Sequence, residues 1–462
     1  MSGNTASTKV PLRSKVGFGL GDFGFVLIWQ GTAMFLMYFY TDVLGIGPLI
    51  AGAIYLTAMV WDAITDPIMA TLADRTRTRM GRYRPWILYG ALPFALSYPL
   101  AFSSPGNLPI EPWVWALGTH VLLRTTYTIV SMPFNSLQAR LTQDADERSV
   151  LAGFRMVGAA SGGLAIVFLT PVIVGAFGPN RELEAYFTVA CIAGVLTLAG
   201  LLFCFFSMRE PEETDAGPGK VPFLSDLGSV LPMFLKNPPL IRVFAIIVIG
   251  SICLGMFGKN VLYHFKYDMQ RPDLVTPALV LPAILLILTT PFWVWVSKVR
   301  SKRDALGLGS AIALVGYLVF FLNPSQNVPV AMAAILATGI GGSALAVMFW
   351  AMLPDTVEYG EAVTGIRAEA KTFGFATFAQ KAAVGINAAL LGLLLQVSGF
   401  EANAVQSEGT LLGMKAIMAL VPGAGCVAIL VILRGYKLDR SMHATMVDRI
   451  NDRKAAQIGA GS

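Results

Sequence analysis

The stretch WDAITDPIMATLADRTRTRMGRYRPW, residues 61–86, joins an apolar segment to the most basic segment of the chain. Two aspartates, Asp62 and Asp66, lie in the apolar part, and five arginines occupy positions within 75–84. A lysine- or arginine-rich loop directly after an apolar segment is typical of the cytoplasmic end of a membrane helix. The stretch therefore predicts a membrane-spanning helix that carries two carboxylates and ends in a cytoplasmic loop.

The composition of the whole chain is that of a membrane protein. Of its 462 residues, 55% are hydrophobic and 13% are charged, whereas a soluble domain carries about 25% charged residues. The short alternating segments of a β-barrel do not occur in the sequence. We therefore predict an all-α membrane protein of twelve transmembrane helices. The twelve apolar runs fall at roughly 16–40, 49–73, 86–102, 113–135, 150–177, 185–207, 240–265, 274–297, 304–322, 328–353, 371–397 and 411–434.

Charge and motifs exclude several function classes. The net charge of +6 does not indicate nucleic-acid binding, because lysine and arginine cluster between the apolar runs, as in cytoplasmic loops. The sequence contains no GxSxG, HExxH or P-loop motif. We therefore expect neither an enzyme nor an ATP-driven pump. We expect no cofactor, and an ion gradient is the remaining energy source.

The longest polar interruption, REPEETDAGPGKVPFLSD at 209–226, lies near the middle of the chain. It predicts a linker between two six-helix halves, an arrangement typical of transporters with a substrate site between the repeats. Basic segments near both ends and an even number of spans predict cytoplasmic termini. The predicted division is an N-terminal bundle at 1–208, a cytoplasmic linker at 209–239, a C-terminal bundle at 240–436 and a cytoplasmic tail at 437–462.

Charges inside the apolar runs indicate functional positions, since each costs at least about 2.5–3.5 kcal/mol at mid-bilayer. Asp62 and Asp66 are four residues apart and share one helix face. Two neighbouring carboxylates in a low dielectric do not both stay ionised without a cation. The pair can hold Na⁺ with hydroxyl or carbonyl oxygens, or carry a proton. The alternative is that Asp66, directly before Pro67, supports a kink or pairs with a loop arginine.

The fourth run carries a polar stripe on one helix face. Its members are Arg124, Tyr127 or Thr128, Ser131 and Asn135. The hydroxyl groups could instead make ordinary hydrogen bonds between helices. Arg124 cannot be neutralised, but it could extend toward water at the outer end of its helix.

Five further polar residues lie in other apolar runs: Asp22, Arg155, Lys259, Thr377 and Lys381. Lys381 lies deep in its run, with Thr377 one turn earlier on the same face, and we expect the lysine to pair with the two aspartates of the second run. For Asp22, near the start of the first run, a helix-end role and a substrate role both stay open.

Four segments together resemble a known transporter family. They are YFYTDV (38–43), WDAITDPIMATLADRTRTRMGRYRPWIL (61–88), TYTIVSMPFNSL (126–137) and DTVEYGEAVTGIRAEA (355–370). The chain resembles the glycoside–pentoside–hexuronide:cation symporters, the melibiose-permease-like branch of the major facilitator superfamily. The resemblance implies two six-helix bundles and cation-coupled sugar transport by alternating access.

The resemblance also implies roles for single residues. The cation site would consist of Asp62, Asp66, Thr128 and the nearby Lys381. Arg155 and Thr377 match positions associated with the sugar. The cytoplasmic gate, where acidic and basic groups can pair in one conformation and separate in another, would consist of Asp74, Arg75, Arg82, Asp355, Glu358, Glu361 and Arg367.

The chain departs from the melibiose-permease pattern on two helices. Ser131 stands where that pattern has an aspartate, Asn135 replaces a tryptophan, and Val26 holds a position that is acidic or an amide unless Asp22 substitutes for it. Arg124 replaces a small residue. The membrane charges then number four basic, Arg124, Arg155, Lys259 and Lys381, against three acidic, Asp22, Asp62 and Asp66.

An extra arginine suits an acidic sugar, because a guanidinium binds a carboxylate or sulfonate with two hydrogen bonds. We therefore expect a symporter of an anionic glycoside, a hexuronide or a sulfosugar, with Tyr127, Ser131, Asn135 and Lys259 among the substrate-binding residues. A symporter of a neutral glycoside or pentoside, a lysophospholipid transporter and a sensor without flux are the alternatives. The coupling ion is H⁺ or Na⁺, with H⁺ slightly favoured. We expect a monomer in the bilayer of a bacterial inner membrane.

Overall fold

The computed structural model describes residues 10–141, 144–208, 210, 237–323, 327–365, 367–438 and 440–460. This part of the chain is almost entirely helical, which confirms the all-α class. Its helices are α1 Leu12–Tyr38, α2 Pro48–Arg75, α3 Arg84–Ala101, α4 Pro112–Leu141, α5 Ala145–Phe177, α6 Glu182–Ser207, α7 Pro238–Tyr263, α8 Val275–Val299, α9 Lys302–Leu322, α10 Val328–Thr364, α11 Glu369–Val397, α12 Glu408–Arg434 and α13 Arg440–Ala460.

The helices α1 to α12 coincide with the twelve predicted apolar runs. Ten of them are long and apolar enough to cross a membrane, and α3 and α4 are the two outside that group. A multi-span membrane protein is therefore confirmed, whereas the count of twelve spans stays a prediction. The tail helix α13 was not predicted, because its polar sequence carries no membrane signal.

The chain divides into two compact units. Unit 1 comprises Met1–Lys220 and Ala388–Ala404, and unit 2 comprises Val221–Asn387 and Val405–Ser462. The predicted domain boundaries stay a prediction. The predicted linker, 209–239, lies outside the described residues except for 210 and 237–239.

The first helix of each half ends in the same local structure. A π-helical turn follows α1 at Phe39–Val43, and another follows α7 at His264–Asp268. Each turn is followed by a residue with positive φ, Gly45 at 69° and Gln270 at 51°. The first helices of the two predicted halves therefore share a local structure at their C-terminal ends.

Glycines let α1 and α5 approach closely in unit 1. A Cβ atom at Gly158 would lie 1.9 Å from the carbonyl oxygen of Gly19. Small residues at such contacts allow two membrane helices to pack backbone against backbone. Gly158 lies one turn after Arg155, and Gly19 lies one turn before Asp22, so the same contact brings these two charged side chains together.

In unit 2, the longest helix, α10, is anchored on the core. The core side chain Trp293 of α8 is completely buried. Its indole Nε1–H lies 2.9 Å from Ser343 Oγ and 3.0 Å from the Ile340 carbonyl oxygen, both on α10. The aliphatic core around this anchor includes Leu306 and Ile429 from neighbouring helices. This packing fixes the middle of α10. Its C-terminal end is held by other contacts, which are described below.

Candidate substrate and cation sites

The two carboxylates of α2 meet one hydroxyl group of α4. Thr128 Oγ1 lies 3.0 Å from Asp62 Oδ1 and 2.9 Å from Asp66 Oδ1. Asp62 is completely buried. A hydroxyl has one hydrogen to donate, so it hydrogen-bonds to one carboxylate at a time. The predicted cation-site residues of unit 1 are thus adjacent, in a group of oxygen atoms that H⁺ or Na⁺ would stabilise.

Arg124 lies inside unit 1, one turn before Thr128 on α4. Its side chain is 2% exposed, and its guanidinium carbon lies 4.7 Å from the centre of the Trp29 ring. Its Nε–H donates a long hydrogen bond of 3.4 Å to His120 Nε2. The Tyr55 hydroxyl is also within hydrogen-bonding reach of the guanidinium.

No carboxylate among the described residues forms an ion pair with Arg124. A guanidinium keeps its charge in a protein, and a buried charge costs several kcal/mol unless another charge or hydrogen bonds compensate it. A ring face and a histidine nitrogen compensate it in part. The arrangement can accept an anion, and it differs from an arginine that extends along a helix toward water.

The other members of the α4 stripe have different surroundings. The Tyr127 ring packs 5.5 Å from Trp29 and 5.7 Å from Phe25, measured between ring centres. Ser131 is 3% exposed, and its hydroxyl has no hydrogen-bond partner among the described residues. Asn135 belongs to a separate network around Arg155. The α4 stripe therefore contributes to two separate groups of residues, one around Arg124 and one around Arg155.

Arg155 of α5 is paired with an acidic residue. Its guanidinium forms an ion pair with Asp22 on α1 and donates to Asn135 Oδ1 at 2.8 Å and to Gln138 Oε1. The structure thus gives Asp22 a charge partner on a neighbouring helix. Gln138 was missed from the sequence, although its position three residues after Asn135 places it on the same helix face.

The predicted residues of unit 2 lie on α7 and α11. Lys259 is 2% exposed, and its Nζ donates to Asn387 Oδ1 at 2.9 Å. Lys381 is buried, whereas Thr377 is exposed and donates its hydroxyl to the Phe373 carbonyl oxygen. The pairing of Lys381 with the aspartates of unit 1 stays a prediction.

The predicted gate residues of unit 1 surround the loop after α2. The Tyr83 hydroxyl donates to Asp74 Oδ1 at 2.7 Å, and burial, with the nearby Asp74, raises the pKa of Tyr83 to about 12. The tyrosine therefore stays a neutral donor at physiological pH. The backbone N–H groups of Arg82 and Tyr83 each donate to Glu210 Oε2 at 2.9 Å. Arg75 is exposed, and the sequence analysis missed Glu210.

The predicted gate residues of unit 2 lie near the end of α10, and each carboxylate there has a basic partner. Lys302 Nζ lies 2.7 Å from Asp355 Oδ1, and Arg367 Nη1 lies 3.0 Å from Glu361 Oε2. Glu358 contacts His443 Nε2 of α13. The sequence analysis missed His443 because nothing in a polar tail indicates where it docks.

The sequence also matches the profile of the MFS/sugar transport protein family over residues 17–440. The chain belongs to this family. It is a transporter of the major facilitator superfamily, and the expectation that it is not an enzyme is confirmed, because its relatives and structural neighbours are transporters.

Three curated relatives span nearly the whole chain. The isoprimeverose transporter of Lactiplantibacillus pentosus is 30% identical, with 93% of this chain and 90% of the relative covered. The inner membrane symporter YicJ of Escherichia coli is 29% identical, with coverages of 93% and 92%. The glucuronide carrier protein homolog of Escherichia coli is 27% identical, with 96% of each covered.

The fold also matches solved transporters. A bacterial homolog of the human lysosomal transporter Spinster superposes with a TM-score of 0.67 at 15% sequence identity, with 95% of this chain and 98% of that chain covered. At this identity the match concerns the fold alone. It confirms the major facilitator architecture predicted from the sequence.

Proposed function

We propose that this protein is a secondary transporter that couples the movement of a cation to the uptake of an anionic glycoside by alternating access. The observation that carries the proposal is the joint approach of Asp62 and Asp66 to Thr128 Oγ1, at 3.0 and 2.9 Å. The names of the relatives, which include a symporter and carriers of glycosides, support the same function.

The cation site couples transport to the ion gradient, which supplies the driving force. Two carboxylates that share one hydroxyl in an apolar helix repel each other unless a proton or Na⁺ is present. One elementary charge that moves across 100 mV gains about 2.3 kcal/mol, enough to concentrate a solute roughly fifty-fold. The ligand set of Asp62, Asp66 and Thr128 suits either ion, with H⁺ slightly favoured. Lys381 would replace the cation when the site is empty.

The substrate site is assigned to the polar stripe of α4 and its neighbours. Arg124, buried without a carboxylate among the described residues, would bind the carboxylate of a hexuronide or the sulfonate of a sulfosugar. Further contacts would come from Tyr127, Ser131, Asn135, Arg155, Asp22, Lys259 and Thr377. A neutral glycoside is the second candidate, favoured by the name of the isoprimeverose transporter.

The remaining assignments follow from charge and from the family. The gate would consist of Asp74, Arg75, Arg82, Asp355, Glu358, Glu361 and Arg367. The basic loops support cytoplasmic termini, and the name of the relative YicJ supports a bacterial inner membrane. We propose a monomer.

Uptake into proteoliposomes tests the function. A phenyl glucuronide and the matching uncharged glucoside are offered under an imposed Na⁺ gradient at constant pH, and separately under a pH gradient without Na⁺. We expect one gradient to drive accumulation of the glucuronide by the wild type. Asp62→Asn should abolish accumulation because it removes the charge that the cation compensates.

Asp304→Asn, at an exposed position in the first turn of α9, is the matched control and should accumulate glucuronide like the wild type. Accumulation by Asp62→Asn at the wild-type level would overturn the cation-site assignment. If neither gradient drives uptake of either compound by the wild type, the proposed function is wrong.

A further inference from the structure

The tail helix α13 begins where the family match ends, at residue 440, and packs against the end of α10 in unit 2. Met446 and Ile450 of α13 form a small apolar cluster with Ala362 of α10, joined by Met442 and Tyr359. This packing attaches a polar helix, which follows the residues matched by the family profile, to the segment that carries the DTVEYGE motif.

Polar contacts strengthen the attachment at the last turn of α10. Arg453 donates from Nη1 to the Glu361 carbonyl oxygen and from Nη2 to the Ala362 carbonyl oxygen, both at 3.2 Å. The last carbonyl groups of a helix have no partner within the helix and carry partial negative charge, so a guanidinium there is favourable. Arg453 thus caps α10 from α13.

A histidine of α13 contacts the acidic face of α10. His443 Nε2 touches Glu358 and lies 3.8 Å from Asp355 Oδ1. The side chains of His443 and Glu358 are 31% and 29% exposed, so water can reach the contact and protons can exchange there. The contact between His443 and Glu358 is therefore formed in the structure and accessible to protons from the solution.

The charged groups around His443 come from two further helices, α9 and α10. Asp355 of α10 is held by Lys302 of α9, whose Nζ lies 2.7 and 2.9 Å from its two oxygens. Lys302 and Asp355 also line the cavity at His443, together with Ser297, Ser301, Arg303, Tyr436 and Leu438. Burial raises the pKa of Tyr436, so this phenol stays neutral.

Two carboxylates, Asp355 and Glu358, lie near His443, and one ammonium group, that of Lys302, pairs with Asp355. A protonated His443 brings the directly contacting charges into balance, whereas a neutral His443 leaves one negative charge in excess. Histidine is the side chain whose charge normally changes between pH 5 and 8. Because His443 contacts Glu358, a change in the charge of His443 would change the strength of the contact between α13 and α10.

We propose that α13 is a pH-sensitive brake on transport. When His443 is protonated, its ion pair with Glu358 holds α13 on the end of α10 and slows the rearrangement of the gate segment. When pH rises and His443 loses its charge, the contact weakens and transport speeds up. The proposal rests on the proposed transport function, since the braked step is the movement of the gate. A cation-driven importer with such a brake would slow as the cytoplasm acidifies.

The test separates this effect from the driving force. Counterflow of labelled glucuronide is measured in proteoliposomes with equal pH inside and outside, at about pH 6 and pH 8, on either side of the ordinary histidine range. We expect the wild type to be about three- to fivefold slower at the lower pH, the scale of a partly exposed ion pair. His443→Gln should be fast at both values, and His443→Arg, permanently charged, slow at both.

His264→Gln is the matched control, because this histidine lies near the end of α7 away from the cluster, and it should keep the wild-type pH ratio. An unchanged pH ratio in His443→Gln would overturn the brake, and so would fast counterflow by His443→Arg.

Hydrogen exchange of residues 440–460, corrected for the intrinsic rate at each pH, tests docking independently of transport. Slower exchange at the lower pH in the wild type, but not in His443→Gln, supports the brake. Equal hydrogen exchange of residues 440–460 at both pH values overturns the brake, whether or not counterflow is observed. Absent counterflow with pH-dependent exchange would instead count against the transport function.

Discussion

The two arginines in the interior of unit 1 have opposite surroundings. Arg155 on α5 has a carboxylate, Asp22, and two amide oxygens from Asn135 and Gln138. Arg124 on α4 has an aromatic ring, a histidine nitrogen and a tyrosine hydroxyl. Both arginines lie in unit 1, so the difference between them is whether a described carboxylate balances the charge.

The comparison separates a charge that the protein already balances from one that an anionic substrate can balance. The Arg155 charge is cancelled within the protein, so an incoming anion would have to displace Asp22. In the part of the chain that the structure describes, the groups that contact Arg124 are neutral, and they stabilise a cation less than a carboxylate does. An anionic substrate would therefore gain more at Arg124 than at Arg155.

Replacement of Arg124 should have the largest effect. We expect Arg124→Ala to weaken binding of an acidic glycoside at least about 100-fold, because a bidentate pair contains two charge-assisted hydrogen bonds of about 1.5–3 kcal/mol each. Binding of the uncharged glucoside should stay within about threefold, less than the contribution of one neutral hydrogen bond. The Kd values are measured by titration calorimetry in detergent.

The Asp62→Asn variant separates the Arg124 prediction from the coupling mechanism. If Arg124→Ala transports an acidic glycoside like the wild type while Asp62→Asn abolishes accumulation, the anionic site is wrong and symport stands.

Removal of Arg155 should act on stability. Arg155→Met leaves Asp22 buried without its partner, and breaking a buried pair costs about 3–5 kcal/mol. Because the Arg155 side chain is 20% exposed, we expect about 2 kcal/mol, seen as a lower Tm in detergent. The double variant with Asp22→Asn should regain at least half of the loss. A double variant no more stable than Arg155→Met would show that the pair contributes little.

The sequence predicted the fold well because the membrane imposes a simple rule. Length and hydrophobicity alone located α1 to α12, since a spanning helix needs about 20 apolar residues. The tail helix α13 escaped that rule. Its position depends on contacts of Met446 and Arg453 with α10, which are tertiary and leave no periodic signal in a polar segment.

The candidate site was predictable where its residues share a helix. Asp62 and Asp66 are one turn apart, and His120 could have been found because it is one turn before Arg124. The partners on other helices were harder. Nothing in the sequence relates Trp29 of α1 to Arg124, and the pairing of Asp22 with Arg155 depends on the close glycine contact between α1 and α5.

The smallest expected effect concerns the ring over Arg124. A cation–π contact stabilises an arginine by about 0.5–2 kcal/mol, depending on desolvation. When an anion binds, its charge offsets the guanidinium charge, so the ring stabilises the empty site more than the occupied one. We therefore expect Trp29→Leu to lower the free energy of unfolding by about 1 kcal/mol and to change the Kd of an acidic glycoside by less than about threefold.

Trp295→Leu, on a side chain that is 59% exposed, is the control. A loss of affinity of tenfold or more, about 1.4 kcal/mol, would mean that the Trp29 ring contacts the sugar itself, and the comparison would then assign Trp29 and Arg124 to one binding surface.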